Sequence, residues 1–276
     1  MATSNKVGKI LTVFQSEQFL PINVTDYSAI ADILLDRRYD SDFLTVQHLI
    51  QLKAFGTIHE CSFHHDLGNP PWLKNMSDPT YQPGDGLTFG AGSHSIDQAL
   101  ELFGRPASVT GFLRNLRGVD SEVEDSFTII LQYMGELKNL FVEVKTNAVT
   151  KLSDQIKCVI RGYDGTFIKL GEDPQVEQAA SGGKATDERF GLETRETYGT
   201  LTSKEKVHDD QVRVGDSWVG PFPTVRGCYM DYYRDVVRAV RGERELVIQP
   251  EQSRDGIRII ELARESAAKG CTLPFS

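Results

Sequence analysis

Residues 156–170 read IKCVIRGYDGTFIKL. Two runs rich in β-branched and aromatic residues flank Tyr163-Asp164-Gly165-Thr166, and an Asp-Gly pair between such runs is a strong signal for a tight hairpin turn. The stretch therefore predicts an antiparallel pair of strands. Working outward toward the N-terminus, 138–147, 126–134 and 107–113 carry the same composition, so more strands are expected in succession. Thr57 to Asp66 alternates, with Cys61 and Phe63 on one face and Glu60, Ser62, His64 and Asp66 on the other.

Helices are expected on either side of these strands. Asp40 or Ser41 can cap a helix running to about Phe55, with Phe43, Val46, Leu49, Ile50 and Ala54 at helical spacing and Gly56 as its stop. Ser93 stands before a second, with Ile96, Leu100 and Phe103 inward and Gly104 at its end. Near the C-terminus, Tyr229, Met230, Tyr233, Val236, Val237 and Val240 line one face of a helix stopped by Gly242. Another starts at Pro250, carries Ile257, Ile260 and Leu262, and ends at Lys269-Gly270. Between these elements, 67–86 is a Pro-, Gly- and Asn-rich loop, and the polar residues 171–217 predict an excursion from the sheet. The fold class that results is α+β, a large mostly antiparallel sheet with helices on one face.

The composition narrows the partners. Thirty Lys and Arg against 39 Asp and Glu leave a net charge of -9, which argues against a phosphate-neutralising, nucleic-acid-binding surface. Cys61, Cys158, Cys228 and Cys271 form no CxxC pair, so a redox dithiol or metal knuckle is not indicated. No apolar run reaches the roughly 20 residues that span a bilayer, and the opening apolar stretch is too short for a secretory signal. The expectation is a soluble, cytoplasmic protein with reduced thiols and no membrane partner.

Five segments in order resemble the Gfo/Idh/MocA family, which includes glucose-fructose oxidoreductase and inositol dehydrogenases. They are KILTVFQ from residue 9, RRYDSDFLTVQHLIQLKAFGTIHECSFHHD from 37, GDGLTFGAGSHSIDQALELFGRPASVTGF from 84, IRGYDGTFIKLGEDP from 160 and YYRDVVRAVRGERELVIQPEQSRDGIRIIELARESAAKG from 232. The resemblance implies an NAD(P)-dependent oxidoreductase acting on a sugar, a polyol or a related hydroxyl compound. It assigns 37–276 to the C-terminal domain that binds substrate and dimerises through the exposed face of its sheet.

Family members also carry a Rossmann domain with a glycine-rich fingerprint and a Glu-Lys-Pro segment, and neither pattern occurs in this sequence. On that comparison 1–15 is a remnant of the Rossmann domain, its last strand being 9–14, and the chain by itself is expected to be inactive. Residues 16–36 separate Gln15 from Arg37-Arg38, where relatives read Gln followed by Asn-Arg-Arg, so they are an insertion, real or introduced by a gene-model error such as a retained intron.

The site residues follow from the same resemblance. Relatives begin a helix with Asp-x-Gly-x-His, whose Asp and His line the substrate pocket. Here the run is Gly90-Ala91-Gly92-Ser93-His94, which keeps the histidine and replaces the carboxylate. His94 is the expected catalytic base, since a histidine can take the proton that leaves a hydroxyl as hydride departs. Its ordinary alternative is a helix-start residue bonded to the neighbouring loop. Arg37, Arg38, His64, Asp66, Trp72 and Asp97 are the expected substrate-binding residues, and Gln15 and Arg38 the cofactor-binding ones. The ordinary reading of Arg37 and Arg38 is a solvated helix start with weak ion pairs to Asp40 and Asp42.

His64-His65 with Asp66 does not indicate a metal, because adjacent strand residues point to opposite faces. Gly90-x-Gly92-x-x-Ser95 looks like a dinucleotide fingerprint, but Leu87-Thr88-Phe89 is too short for the strand such a unit needs. A rival reading is a non-catalytic protein of the same family that senses sugar or nucleotide, and the carboxylate lost at Gly90 favours it.

Overall fold

The computed structural model describes residues 36–276 except Ser77. The expected strand at 9–14, Gln15, and all of the 16–36 insertion but its last residue lie outside the described residues.

Ten described strands form one sheet. In chain order they are β1 (Ile58–His64), β2 (Ser108–Arg114), β3 (Ser126–Gln132), β4 (Phe141–Asn147), β5 (Ile156–Gly162), β6 (Gly165–Leu170), β7 (Thr200–Ser203), β8 (Val212–Val214), β9 (Ser217–Pro221) and β10 (Leu273–Pro274). Their spatial order is β10-β2-β3-β4-β1-β5-β6-β7-β9-β8. Every neighbouring pair is antiparallel except β1 with β4, where Ser62 stands opposite Glu143 and His64 opposite Lys145. The Asp164-Gly165 turn joins β5 to β6 as its sequence requires.

Residues 200–221 correct the expected excursion. β7, β8 and β9 return to extend the sheet, although their short runs lie among polar neighbours that hid them.

The core lies on one face of the sheet. Phe43, Val46 and Leu49 of α1 (Ser41–Gln51), Ile96, Ala99 and Leu100 of α2 (Ser93–Phe103), and Ile259, Ile260 and Ala263 of the long C-terminal helix are buried with Cys61, Phe63, Val109, Ile129, Val142, Val144, Ile160 and Phe167. Each such large side chain contributes about 1.5–3 kcal/mol on leaving water. Across the sheet, Phe112, Phe141, Ile168 and Leu170 of the alternate positions stay exposed.

Helix ends follow the sequence in part. After the short α3 (Pro174–Ala180) and α4 (Met230–Val240), α5 (Pro250–Lys269) begins with Pro250, a reciprocal cap between Gln249 and Gln252, and ends at Gly270 with φ 64°. Gly111 lets α5 lie directly on β2, because a Cβ there would strike the Ala263 carbonyl, and Ser266 Oγ accepts from the Gly111 amide at 3.0 Å. The apolar face expected of α4 is not inward: Met230, Tyr233, Val237 and Val240 are exposed, and Tyr232 and Ala239 are buried instead. Periodicity located that stripe without saying what covers it.

Candidate functional site

The C-terminal end of β1 gathers three of the sequence-nominated residues, His64, Asp66 and, through its neighbour His65, His94. Strand alternation sends His64 to the outer sheet face and His65 to the helix side, where its ring stacks with His94, centroids 6.4 Å apart and planes inclined 25°. Both histidines are buried. His94 lies in the first turn of α2, behind a helical turn at Thr88–Gly92 rather than the short strand expected at Leu87-Thr88-Phe89. Glu124 holds that turn by accepting from the amide and hydroxyl of Thr88, at 3.0 and 2.5 Å. Gly92 is needed for close packing, since a Cβ there would run into the ring of Phe127. The turn serves packing, and no strand precedes it to cradle a dinucleotide.

Beyond β1 the chain opens a cleft lined by Asp66, Trp72, Asp154, Gln155 and Glu172 among others. Trp72 is 41% exposed on a turn whose neighbour Leu73 is fully buried and anchors it. Asp66 is fixed by two contacts: Oδ1 accepts from the Asn147 amide at 2.6 Å, and Oδ2 lies 3.1 Å from His64 Nδ1. The structure thus brings Asp66 and Trp72 to one opening, with His64 behind Asp66 and the His65–His94 pair next along the chain.

Arg37, Arg38 and Asp97 are placed differently. Arg38 Nε and Nη2 donate to the two oxygens of Asp97 at 2.7 Å each, and Nη1 donates to Glu101 at 2.6 Å. This buried fork ties the turn at Asp36–Tyr39 to α2 and leaves the Asp97 carboxylate occupied. Arg37 lies 3.6 Å from Asp40 and 3.5 Å from the Tyr229 hydroxyl, and its carbonyl accepts from Gln98. The solvated helix start considered for this pair is therefore incorrect: Arg37, Arg38, Asp40 and Asp42 are all buried.

A buried polar cluster next to this segment escaped sequence reading. A bulge in β5 between Ile156 and Cys158 turns Lys157 to the core side, where Nζ lies 3.3 Å from Asp40 and 3.8 Å from Asp42. Burial, aided by the like charges of Asp40 and Asp173, pushes the Asp42 carboxyl up to about 7 against the pull of Lys157. Burial acts to lower Lys157, but Asp42 and Asp40 outweigh it and hold the ammonium above its usual range. Burial and the nearby Asp40 also raise the Tyr229 phenol, whose hydroxyl donates to Asp40 at 2.8 Å.

Asp40 stands at the N-cap of α1 with its own side chain turned away. Its place is taken by Asp173, which accepts from the Ser41 amide at 2.6 Å. Gly227 allows this approach, since a Cβ would meet both Gln175 and Asp173. A lysine beside a cysteine within an apolar strand is a faint signal of a bulge. Partners 117 and 132 residues away, as for Lys157 with Asp40 and Ser41 with Asp173, leave no local signal.

Comparison with known proteins agrees with this architecture. The family model for the GFO/IDH/MocA C-terminal domain matches residues 43–168. An uncharacterized oxidoreductase of Schizosaccharomyces pombe is 32% identical over 249 residues, covering 89% of this chain and 67% of the relative. The scyllo-inositol 2-dehydrogenase (NADP(+)) IolW of Bacillus subtilis is 31% identical over 242 residues, covering 86% and 62%. The solved structure of the oxidoreductase yvaA of Bacillus subtilis superposes with a TM-score of 0.78 at 27% identity, covering 100% of this chain and 68% of that one. The chain thus spans about two thirds of the length of the relatives it matches. Among the described residues no helix is long and apolar enough to cross a membrane. With a sheet, a histidine-bearing helix and an extended sequence match all in agreement, the chain belongs to the Gfo/Idh/MocA family of oxidoreductases.

Proposed function

We propose that this chain supplies the polyol-binding and self-associating part of an NAD(P)-dependent oxidoreductase that acts on a hydroxyl of a sugar, polyol or related compound. The observation that carries the reading is the open cleft lined by Asp66 and Trp72, with the buried His65–His94 pair reached one residue along the chain from Asp66. Aromatic rings take the C–H face of a sugar, and a fixed carboxylate accepts from its hydroxyls. By the family resemblance His94 is the group expected to take a hydroxyl proton. Arg37 and Arg38 are not among the residues lining the cleft, and with their charges matched by buried carboxylates they hold the fold rather than the ligand. The similarity to an NADP(+)-dependent inositol dehydrogenase supports both the substrate class and the cofactor.

The described residues do not themselves fit a dinucleotide. Gly92 packs on Phe127 and no described strand leads into Gly90-Ala91-Gly92, so this turn offers a dinucleotide no cradle, and the chain alone is expected to bind polyol without turnover. A second copy is expected on the outer sheet face, where Phe112, Phe141 and Ile168 are exposed.

Calorimetric titration with scyllo-inositol tests the cleft. The wild type should bind, and Asp66→Asn should bind about tenfold more weakly, the cost of one charge-assisted hydrogen bond. Absence of heat with a panel of neutral polyols would refute the proposal. Parallel titration with NADPH, followed by its fluorescence, should show no saturable binding.

Gly90, which leaves His94 without a carboxylate at that position, favours a second reading as a non-catalytic sensor. Genomic sequence around the coding region separates the two. A reading frame encoding a glycine-rich fingerprint and Glu-Lys-Pro supports the enzyme, and its absence supports the sensor.

A further inference from the structure

Ser62, His64 and Asp66 stand at alternate positions along and just beyond β1, and their side chains form a line. Ser62 Oγ lies 2.7 Å from His64 Nε2, and His64 Nδ1 lies 3.1 Å from Asp66 Oδ2. The connectivity is that of a Ser-His-Asp triad, but the surroundings exclude a nucleophile. Ser62 is only 7% exposed, and its hydroxyl also lies 2.8 Å from Glu143 Oε2. A buried hydroxyl enclosed between an imidazole and a carboxylate of the neighbouring strand has no open approach for an incoming carbonyl. The row is a four-membered hydrogen-bonded chain, Glu143–Ser62–His64–Asp66, and the Asn147 amide closes its far end on Asp66 Oδ1 at 2.6 Å.

Its two ends lie in different places. Asp66 lines the cleft, whereas Glu143 lies on the outer sheet face, in register with Ser62 and two residues from Lys145, which stands opposite His64. Val159 of β5 flanks Ser62 on the other side, so Glu143 is the carboxylate that β4 and β5 between them offer to that hydroxyl. An imidazole held at both nitrogens has one orientation, and a carboxylate held by that imidazole and by a backbone amide has one as well.

We propose that Glu143 and Ser62 are positioning residues for the cleft: through His64 they set the orientation of the Asp66 carboxylate, and they join the outer face of the sheet to the ligand opening. Whatever engages Glu143 on that face, a second copy included, then changes the polyol affinity of the cleft. The link to polyol rests on the function proposed above, and the chain of contacts does not.

The experiment uses the full 276-residue chain labelled with ¹⁵N at histidine, with the His64 ring resonances assigned by their loss in His64→Gln. Glu143→Gln and Ser62→Ala should each move those resonances, although Glu143 does not touch the imidazole, and Ser62→Thr, which keeps the hydroxyl, should restore them. The same two variants should weaken scyllo-inositol binding by about threefold or more, a typical coupling within one hydrogen-bonded network, again with rescue by Ser62→Thr. Unmoved ring resonances in Glu143→Gln would overturn the proposal, as would moved resonances with unchanged polyol affinity. A wild type that binds no polyol would overturn the cleft reading, and the network would still be judged on its resonances.

Discussion

Burial decides what each polar residue around the site can do. Arg38 forms a two-pronged contact with Asp97 and a third with Glu101, and Lys cannot reproduce that planar fork. Arg38→Ala is expected to destabilise by about 3–5 kcal/mol, since it strands a buried carboxylate, and Arg38→Lys to recover only part of the loss. Chemical denaturation measures this, and a change below 1 kcal/mol would show that the fork is not structural.

Asp42 yields a prediction in pH. Its carboxyl is raised to about 7 in the fold, above its unfolded value near 3.8. The native state therefore holds a proton that the unfolded chain has released across that window, and stability falls as pH rises from about 4 to about 7. Asp42→Asn removes the dependence. Its melting temperature relative to wild type should be more favourable at pH 8 than at pH 4, and an equal difference at both would contradict the assignment.

At the scale of elements, the strands from β1 to β6 and the limits of α5 were legible because their signals are local: alternation, an Asp-Gly turn, a Pro start and a Gly stop. The pairing of His65 with His94 was half legible. Alternation placed the adjacent His64 and His65 at the end of β1 on opposite faces, but only the packed fold shows which of them meets α2. Lys157 and the Asp173 cap on α1 were not legible, because a bulge shifts the phase of one strand and a cap supplied from another segment leaves its own helix start unmarked. The β2–α5 contact is the simplest to test. Gly111→Val should cost about 1–3 kcal/mol by forcing the helix off the strand, measurable by denaturant titration, whereas a neutral result would mean that α5 has room to move.

For the whole molecule, the sheet has two unlike faces. One carries the helices and the core, and the other shows Phe112, Phe141, Ile168 and Leu170 among Glu143, Lys145 and Arg161. Exposed apolar groups in that number favour association. Light scattering is expected to show a dimer or larger species, and Phe112→Glu combined with Ile168→Lys should shift it toward monomer. A wild type that scatters as a clean monomer at micromolar concentration would remove the outer face as an interface.

The bulge at Lys157 bears on how this chain tolerates changes in length. Ile156 already pairs with Leu170 and Cys158 with Lys169, so a polypeptide one residue shorter here would zip β5 to β6 without interruption. What the deletion would forfeit is the counter-charge facing Asp40 and Asp42. Relatives that lack the extra residue are thus expected to carry uncharged side chains at one or both of those positions, a covariation that an alignment of the family can check.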